Sequence, residues 1–341
     1  MSSSLNNAAL VSIGLFVHNG EKYLRQALDS LLAQDYANFE LIISDNASTD
    51  RTAEICREYE SSDRRIKYYR SDKNMGAMWN ANRVFELSAG DYFMWAAHDD
   101  RRDPRYVRLC VDKLNQNEKV ILVSSQFQFV DRDTGQVDFV NMGITTVDMS
   151  AAKRYKLVVS QMSELGGIFY GVYRKSVMRN VMPLKLVYAS DLLFLSELSL
   201  YGYFLTLPLV LISLRTGGES SNPKGYISSS RNISNPFFRR FPFMGWFLMA
   251  QMIAMRSDRL HWVDKIGIFL FLIADYLSAA AIRAAASINH ALTKIFPSLG
   301  NRIRKSWYVA QQAKRRPGGG GARYDRILHD ESAAGDKQKP G

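Results

Sequence analysis

Cysteine is scarce: the 341 residues contain two, Cys56 and Cys110. They match no zinc-ligand or redox spacing, so neither a structural zinc module nor a disulfide-stapled secreted fold is expected, and both read as buried thiols in a reducing compartment. No GxGxxG follows the first apolar run, which argues against a dinucleotide-binding dehydrogenase. The first loop, His18-Asn19-Gly20-Glu21, also lacks the glycines and basic residue expected of a nucleotidyltransferase. No basic segment precedes the short apolar run near the N-terminus, so that end does not read as a secretory signal. Long apolar runs are missing too. IGIFLFLIADYLSAAAI, residues 266–282, is at the lower edge of bilayer-spanning length and carries Asp275 near its centre, an expensive place for a carboxylate facing lipid. It can be read as a spanning helix, an interfacial or re-entrant helix, or a buried packing helix. No tandem repeat is visible.

Acidic residues are scarce in one region only. Residues 1–214 carry 24 basic and 25 acidic side chains, whereas residues 215–316 carry 16 basic and 4 acidic. This basic region is interwoven with apolar segments such as FFRRFPFMGWFLMAQMIAM, 237–255. That pairing favours peripheral contact with an anionic membrane surface over nucleic acid.

Hydrophobic residues make up 47% of the chain, enough for a sizeable core. ALVSIGLFV, 9–17, reads as a buried strand ending at a polar turn, and apolar residues at helical spacing follow from Glu21 to Leu32. Strands at 39–45, 66–69 and 91–97 alternate with helices at 52–59, 74–87 and 104–117. This alternation predicts an α/β domain whose central sheet is mostly parallel and covered by helices on both faces. The ligand site of such a sheet lies beyond the strand C-termini, which places His18–Glu21, Asp45–Asp50 and His98–Asp100 around one site. Further on, 120–131 reads as a strand or bent strand pair, 131–136 as a turn, 137–164 as a looser stretch, 188–201 as an amphipathic segment, and 203–214 as a strand pair. Residues 315–341 read as a flexible tail.

Several polar residues in this pattern can carry chemistry. Asp99 and Asp100 end an apolar strand, where carboxylates can hold a divalent cation against a diphosphate or cap the following helix. Asp45 can accept the imide N–H of a uracil or thymine, or two N–H groups of guanine. Glu21 can do similar work on a base or ribose. Asp50 can join them or cap the helix at 52. Asn74 and Gly76 can close over a nucleotide or simply start a helix. Asp191 can serve as a general base toward an acceptor hydroxyl or as an N-cap.

Taken together, these segments resemble the inverting glycosyltransferase family 2, which has the GT-A fold. VSIGLFVHNGEKYL resembles the family's opening strand and turn. IISDNASTD resembles its VDDGSTD-like segment, NMGAMWNAN its NxGxxxARN-like stretch, WAAHDD its metal-binding DxD region, GGIFYGVYR its acceptor-side segment, and SDLLFLSEL its EDxxLxxR motif. The resemblance implies nucleotide contacts from Glu21, Asp45, Asp50, Asn74 and Gly76, Mg2+ or Mn2+ and diphosphate binding at Asp99, and Asp191 as catalytic base. It departs at Ala97, where the family has the first aspartate, at Ser190, where a Glu is common, and in lacking the later Arg, near which Glu197 stands. The implied protein has a GT-A catalytic domain at 1–215, a basic, apolar helical region at 216–314 and a tail at 315–341. It would take a nucleoside-diphosphate sugar, UDP- or dTDP-linked before GDP-linked, and a glycan or lipid-linked glycan acceptor at the cytoplasmic membrane face. A homo-oligomer, a transferase with a soluble glycan or protein acceptor, and a non-catalytic sugar-nucleotide-binding assembly protein of the same fold stay open at this point.

Overall fold

A computed structural model of the chain describes residues 8–161, 166–216 and 235–295, with side chains as far as 278. Residues 217–234 and the tail expected at 315–341 lie outside the described residues. By chain contact the protein divides into 1–275 and 276–341. Of the second unit, only its part of one long helix is described.

The first half alternates as its sequence pattern requires. β1 (Val11–Val17), β2 (Phe39–Asp45) and β4 (Tyr92–Ala97) are nearly continuous apolar runs, and every residue of β2 and β4 is buried. Such runs belong to parallel strands covered on both faces. β1 pairs in parallel with β2 and β4, and β2 with β3 (Ile66–Arg70). The crossovers are α1 (Leu24–Leu32), α2 (Thr52–Ser62) and α3 (Ala77–Glu86). Each buries one stripe; in α1 it is Leu24, Ala27, Leu28 and Leu31. Gly14 lets α3 approach β1 closely, since a Cβ there would lie 2.8 Å from both Phe93 and Val84.

The second half is mixed. After the two-residue β5 (Arg101–Arg102) come α4 (Tyr106–Gln116), β6 (Val120–Val130), β7 (Val137–Asn141), α5 (Ala151–Ser160), a 3-10 turn (Ile168–Tyr170), β8 (Val172–Arg174), the short α6 (Lys175–Met178), α7 (Ser190–Leu198) and β9 (Tyr203–Arg215). The sheet order is β3-β2-β1-β4-β8-β6-β9-β5, with β7 on β6. The long ladders are parallel, including β6 with β9, while β8 joins the two halves through short antiparallel ladders.

Three expectations change. Residues 203–214 form one strand rather than a pair. Leu207 faces Ser125 and Val210 faces Gln126, so Pro208 and Leu209 fall in a bulge. The proline, which has no N–H to donate, is accommodated there without ending the strand. The stretch after 136 is structured: it holds β7 and α5, and α5 is capped by Ser150, whose hydroxyl accepts the Lys153 N–H. The segment around Asp191 is not amphipathic, because six of the nine residues of α7 are buried. Its serines fit that burial by donating to backbone carbonyls, Ser196 to Leu193 within the helix at 2.7 Å and Ser190 to Lys185 ahead of it.

A second apolar cluster lies beyond α7. α8 (Pro236–Arg240), α9 (Pro242–Arg256) and the start of α10 (Trp262–Ile295) follow in sequence. Tyr155, Leu193, Trp246, Ala250, Ile253, Ile268 and Leu272 pack together there, and the Tyr155 hydroxyl donates to the Ala250 carbonyl at 2.7 Å. Among the described residues, no helix is long and apolar enough to cross a membrane. Within 266–282, Ile268 and Leu272 are buried, while Ile266, Phe269 and Leu270 on the same helix are exposed. One face of this helix is therefore a packing face and another is turned outward.

Candidate active site

Because β2, β1 and β4 are parallel neighbours, the loops after Val17, Asp45 and Ala97 reach the same rim. The first two are laced by a reciprocal set of hydrogen bonds. Asn19, Gly20 and Glu21 donate their backbone N–H groups to Ser48 Oγ, Thr52 Oγ1 and Asp50 Oδ2 at 2.9, 2.8 and 3.0 Å. In return, Thr49 N–H donates to Asn19 Oδ1 and Arg51 N–H to Glu21 Oε2, both at 2.8 Å. Glu21 and Asp50 thus satisfy N–H groups at the start of α2, which have no partner within the helix itself. Burial pushes the Asp50 carboxyl up, but hydrogen bonds from the Thr52 hydroxyl and from the Glu21 and Thr52 N–H groups outweigh it and hold the group below its ordinary value.

Asp45 is fully buried at the end of β2. Its Oδ1 accepts Ser48 N–H at 2.8 Å, and its Oδ2 accepts the Tyr68 hydroxyl at 2.8 Å with Arg70 Nε at 3.4 Å. Any base bonding to Asp45 would use its remaining lone pairs or displace one of these groups. Asn74 Oδ1 accepts from Asn46 Nδ2 and from Gly76 N–H, both at 2.9 Å. Gly76 has φ 91°, a conformation L side chains rarely adopt, which gives this position a backbone reason to be glycine. Asn80 ties the rim from below, with Nδ2 donating to the Ser44 carbonyl at 2.9 Å and the Val17 carbonyl at 3.3 Å.

The loop after β4 comes against the first loop. A Cβ on Gly20 would lie 2.8 Å from the His98 ring. Asp99 stands behind this contact, and its Oδ2 accepts Arg132 Nη2 at 2.5 Å. Its carbonyl accepts Arg215 Nη1. Val130 faces Arg215 across the β6–β9 ladder, so the two arginines arrive from the adjoining ends of two paired strands. Both guanidiniums lie over the Tyr23 ring, Arg215 at 4.4 Å and Arg132 at 5.1 Å from its centroid, and Lys22 Nζ is 5.0 Å away. Asp100 is turned inward, 5% exposed, with Oδ1 accepting Arg215 N–H. Burial and the neighbouring Asp99 charge push its carboxyl up.

Asp191 opens α7 behind Ala189, whose φ of 49° lies in the left-handed region. Ser190 Oγ donates to the Lys185 carbonyl at 2.5 Å, and Lys185 pairs with Glu197. The aromatic core sets where this helix lies. Phe194 sits edge-on to Trp95 of β4, and Trp95 stacks on Phe169 at 4.4 Å. Burial pushes the Tyr170 phenol well up, helped by the negative charges of Asp100, Asp99 and Asp191.

The donor atoms do not fit a divalent cation. Position 97 offers only a methyl group, Asp100 points inward, and Asp99 is held by Arg132. Among the described residues, no three His, Cys, Asp or Glu side chains converge. The structure thus joins Glu21, Asp45, Asp50, Asn74 and Gly76 in one laced rim, with Asp99 against it and Asp191 nearby. Sequence reasoning missed Tyr23, Arg132, Tyr170 and Arg215. Tyr170 lay inside the quoted acceptor-side segment, but the arginines carried no local signal.

Residues 12–161 match the family model described as glycosyl transferase family 2. An uncharacterized glycosyltransferase of Rickettsia typhi is 33% identical over 132 residues, covering 38% of this chain and 40% of that protein. Glycosyltransferase GlyA of Streptococcus pneumoniae is 33% identical over 113 residues, covering 33% of this chain and 16% of that protein. An uncharacterized glycosyltransferase of Haemophilus influenzae is 25% identical over 228 residues, covering 64% of this chain and 69% of that protein. The match therefore spans less than half of the first two relatives. The fold is shared with S. aureus TarS 1–349, solved in complex with UDP (TM-score 0.57, 17% identity, 78% of this chain and 70% of that one) and with UDP-GlcNAc (TM-score 0.58, 17% identity, 79% and 72%).

Proposed function

We propose, from the match of residues 12–161 to the glycosyl transferase family 2 model, that the chain moves a sugar from a nucleoside diphosphate to a glycan or lipid-linked glycan acceptor with inversion at the anomeric carbon. The observation that carries this reading is the convergence of strand-end carboxylates and amides from β1, β2 and β4 on one rim, with the helix that bears Asp191 packed through Phe194 against Trp95 of β4. Asp191 takes the proton of the acceptor hydroxyl. The acceptor oxygen then forms a bond to the anomeric carbon as the bond to the diphosphate oxygen breaks, and this single displacement inverts the configuration. The laced loops around Glu21, Asp45, Asp50, Asn74 and Gly76 bind the nucleoside. Uridine or thymidine is favoured, because a carboxylate at Asp45 pairs with an imide N–H. The family resemblance implies Mg2+ or Mn2+ at Asp99, but the donor atoms there do not fit such an ion, and no step of this mechanism passes through one.

Membrane-surface attachment at the cytoplasmic face belongs to the same proposal. Trp262, Val263, Ile266, Phe269 and Leu270 are 43–65% exposed along α10, and their spacing puts them on one side of the helix. Arg239, Arg240, Arg256 and Arg259 are exposed on or beside these helices, and Lys265 is half-buried. An apolar stripe accompanied by basic residues suits an anionic interface, and a lipid-linked acceptor would be presented there.

The test is a thermal-shift panel of UDP-, dTDP- and GDP-sugars, followed by hydrolysis and transfer assays on the donor that binds. A general base contributes about 10²–10⁴-fold. Asp191→Asn should therefore keep donor affinity within about twofold and lose at least about a hundredfold in turnover. If no sugar nucleotide of the panel binds, the transferase reading fails. If Asp191→Asn turns over normally, the assigned base is wrong.

A further inference from the structure

The cluster behind Asp99 is built differently from a cation site. Three positively charged groups, Lys22, Arg132 and Arg215, surround the Tyr23 ring at 4.4–5.1 Å. Asp99 faces Arg132 at 2.5 Å and Asp133 lies 3.9 Å from Lys22, and the inward Asp100 accepts the Arg215 backbone N–H; among the described residues no carboxylate forms an ion pair with the Arg215 guanidinium. Arg132 is anchored at two of its nitrogens, Nη2 to Asp99 and Nε to the Thr216 carbonyl at 3.3 Å. Its Nη1 has no hydrogen bond among the described residues, and its side chain is 25% exposed. Arg215 is held by the Asp99 carbonyl and by Gln26 Oε1 at 2.7 Å. Each guanidinium is thus fixed at two nitrogens while other N–H donors remain for a ligand. This is the preorganised arrangement in which arginine binds phosphate oxygens well.

We infer that Arg132 and Arg215, with Lys22, take the diphosphate of the donor and offset the charge of the departing nucleoside diphosphate, the work a divalent ion does where a full DxD motif is present. Asp99 is then a positioning residue. Its carboxylate and carbonyl aim the two arginines, and Ala97 is tolerated because no ion has to be coordinated. Tyr23 is the platform that keeps the cations apart and side by side. The loss of the first aspartate and the capture of the second by an arginine become one change rather than two defects. The inference rests on the nucleotide-sugar reading above and concerns only what meets the diphosphate.

The experiment is calorimetric titration of the full chain with UDP, dTDP and GDP, in EDTA and in millimolar Mn2+ or Mg2+. The tightest of the three is then carried into variants whose folding is checked by thermal unfolding. Affinity should be the same within about threefold in EDTA and in Mn2+. Arg132→Ala should weaken it at least tenfold, a loss of about 1.4 kcal/mol, and Arg132→Lys, which keeps the charge, should recover most of it. Asp99→Asn should change affinity less than threefold, because an amide oxygen still accepts from Arg132. Tight binding in Mn2+ that weakens tenfold or more in EDTA, or an Asp99→Asn loss as large as that of Arg132→Ala, overturns the arginine assignment and leaves the transferase reading standing. Absence of binding in both conditions overturns both.

Discussion

Replacing Phe194 by leucine tests whether the aromatic core holds the proposed base in register with the donor rim. Phe194 is 3% exposed and lies one helical turn after Asp191. Its ring meets Trp95 at 5.4 Å and 89°, Tyr173 at 5.8 Å and 65°, and Phe169 at 6.3 Å and 84°. Each such pair contributes about 0.5–1.5 kcal/mol beyond its buried area. Leucine keeps most of the apolar burial but makes none of these ring contacts. Phe194→Leu should therefore destabilise by about 2 kcal/mol, and Phe194→Ala by about 3–5 kcal/mol because a cavity is added. For a unit of this size the leucine variant should unfold about 4–8 °C lower. The functional effect should be selective. The nucleoside loops hang from β1 and β2, which Phe194 does not touch in these ring contacts, so donor affinity should hold within twofold. Asp191 rides on the loosened helix, so turnover should fall about tenfold, since small misplacements of a catalytic group carry large rate penalties. Thermal unfolding, calorimetry and steady-state transfer measure the three quantities. An equal loss of donor affinity and turnover would refute the selective link, and an unchanged melting temperature would refute the packing argument beneath it.

Two further outcomes follow from other parts of the molecule. Glu40 is 6% exposed and accepts from the Ser12 hydroxyl at 2.6 Å and from Ala89 N–H and Lys67 at 2.7 Å. Burial raises its carboxyl, but bonds from Lys67, Ser12 and Ala89 prevail and hold it below its ordinary value. Its stabilisation is therefore full above the unfolded carboxyl value of about 4.3 and is lost as pH falls through the folded value. Glu40→Gln should cost about 1–3 kcal/mol at pH 7 in urea unfolding, a gap that narrows in acid; a gap that stays constant with pH would contradict the charge argument. On α10, Leu270→Glu removes an exposed apolar side chain worth about 1.5–3 kcal/mol on full burial. Flotation with anionic vesicles should drop about tenfold or more while the melting temperature holds, and undiminished flotation would remove this stripe from the membrane contact.

The parallel half of the fold was legible because local pattern and tertiary environment agree there. Short runs built around consecutive apolar residues, such as LII in FELIISD, leave few choices but a central strand, and the helices between them carry clean stripes. β7 and α5 were not legible. β7 is largely exposed, and α5 mixes Lys153, Arg154 and Lys156 into its turns, so neither shows a clear period. α7 misled for the opposite reason: a helix buried on most sides carries no polar face to give it away.

The same division holds at the site. Glu21, Asp45, Asp50, Asn74, Gly76, Asp99 and Asp191 could be picked out in sequence because each stands at the end of a recognisable element, and strand ends are where such sheets place ligands. The sequence by itself determined the α/β class and marked the residues at element ends that are proposed as nucleotide rim and base. Only the tertiary structure decided what stands opposite Asp99. Arg132 and Arg215 are far apart in the chain and far from Asp99, and nothing in their neighbours marks them. They become partners because β6 and β9 pair in parallel, which brings the ends of both strands to one carboxylate and one tyrosine ring.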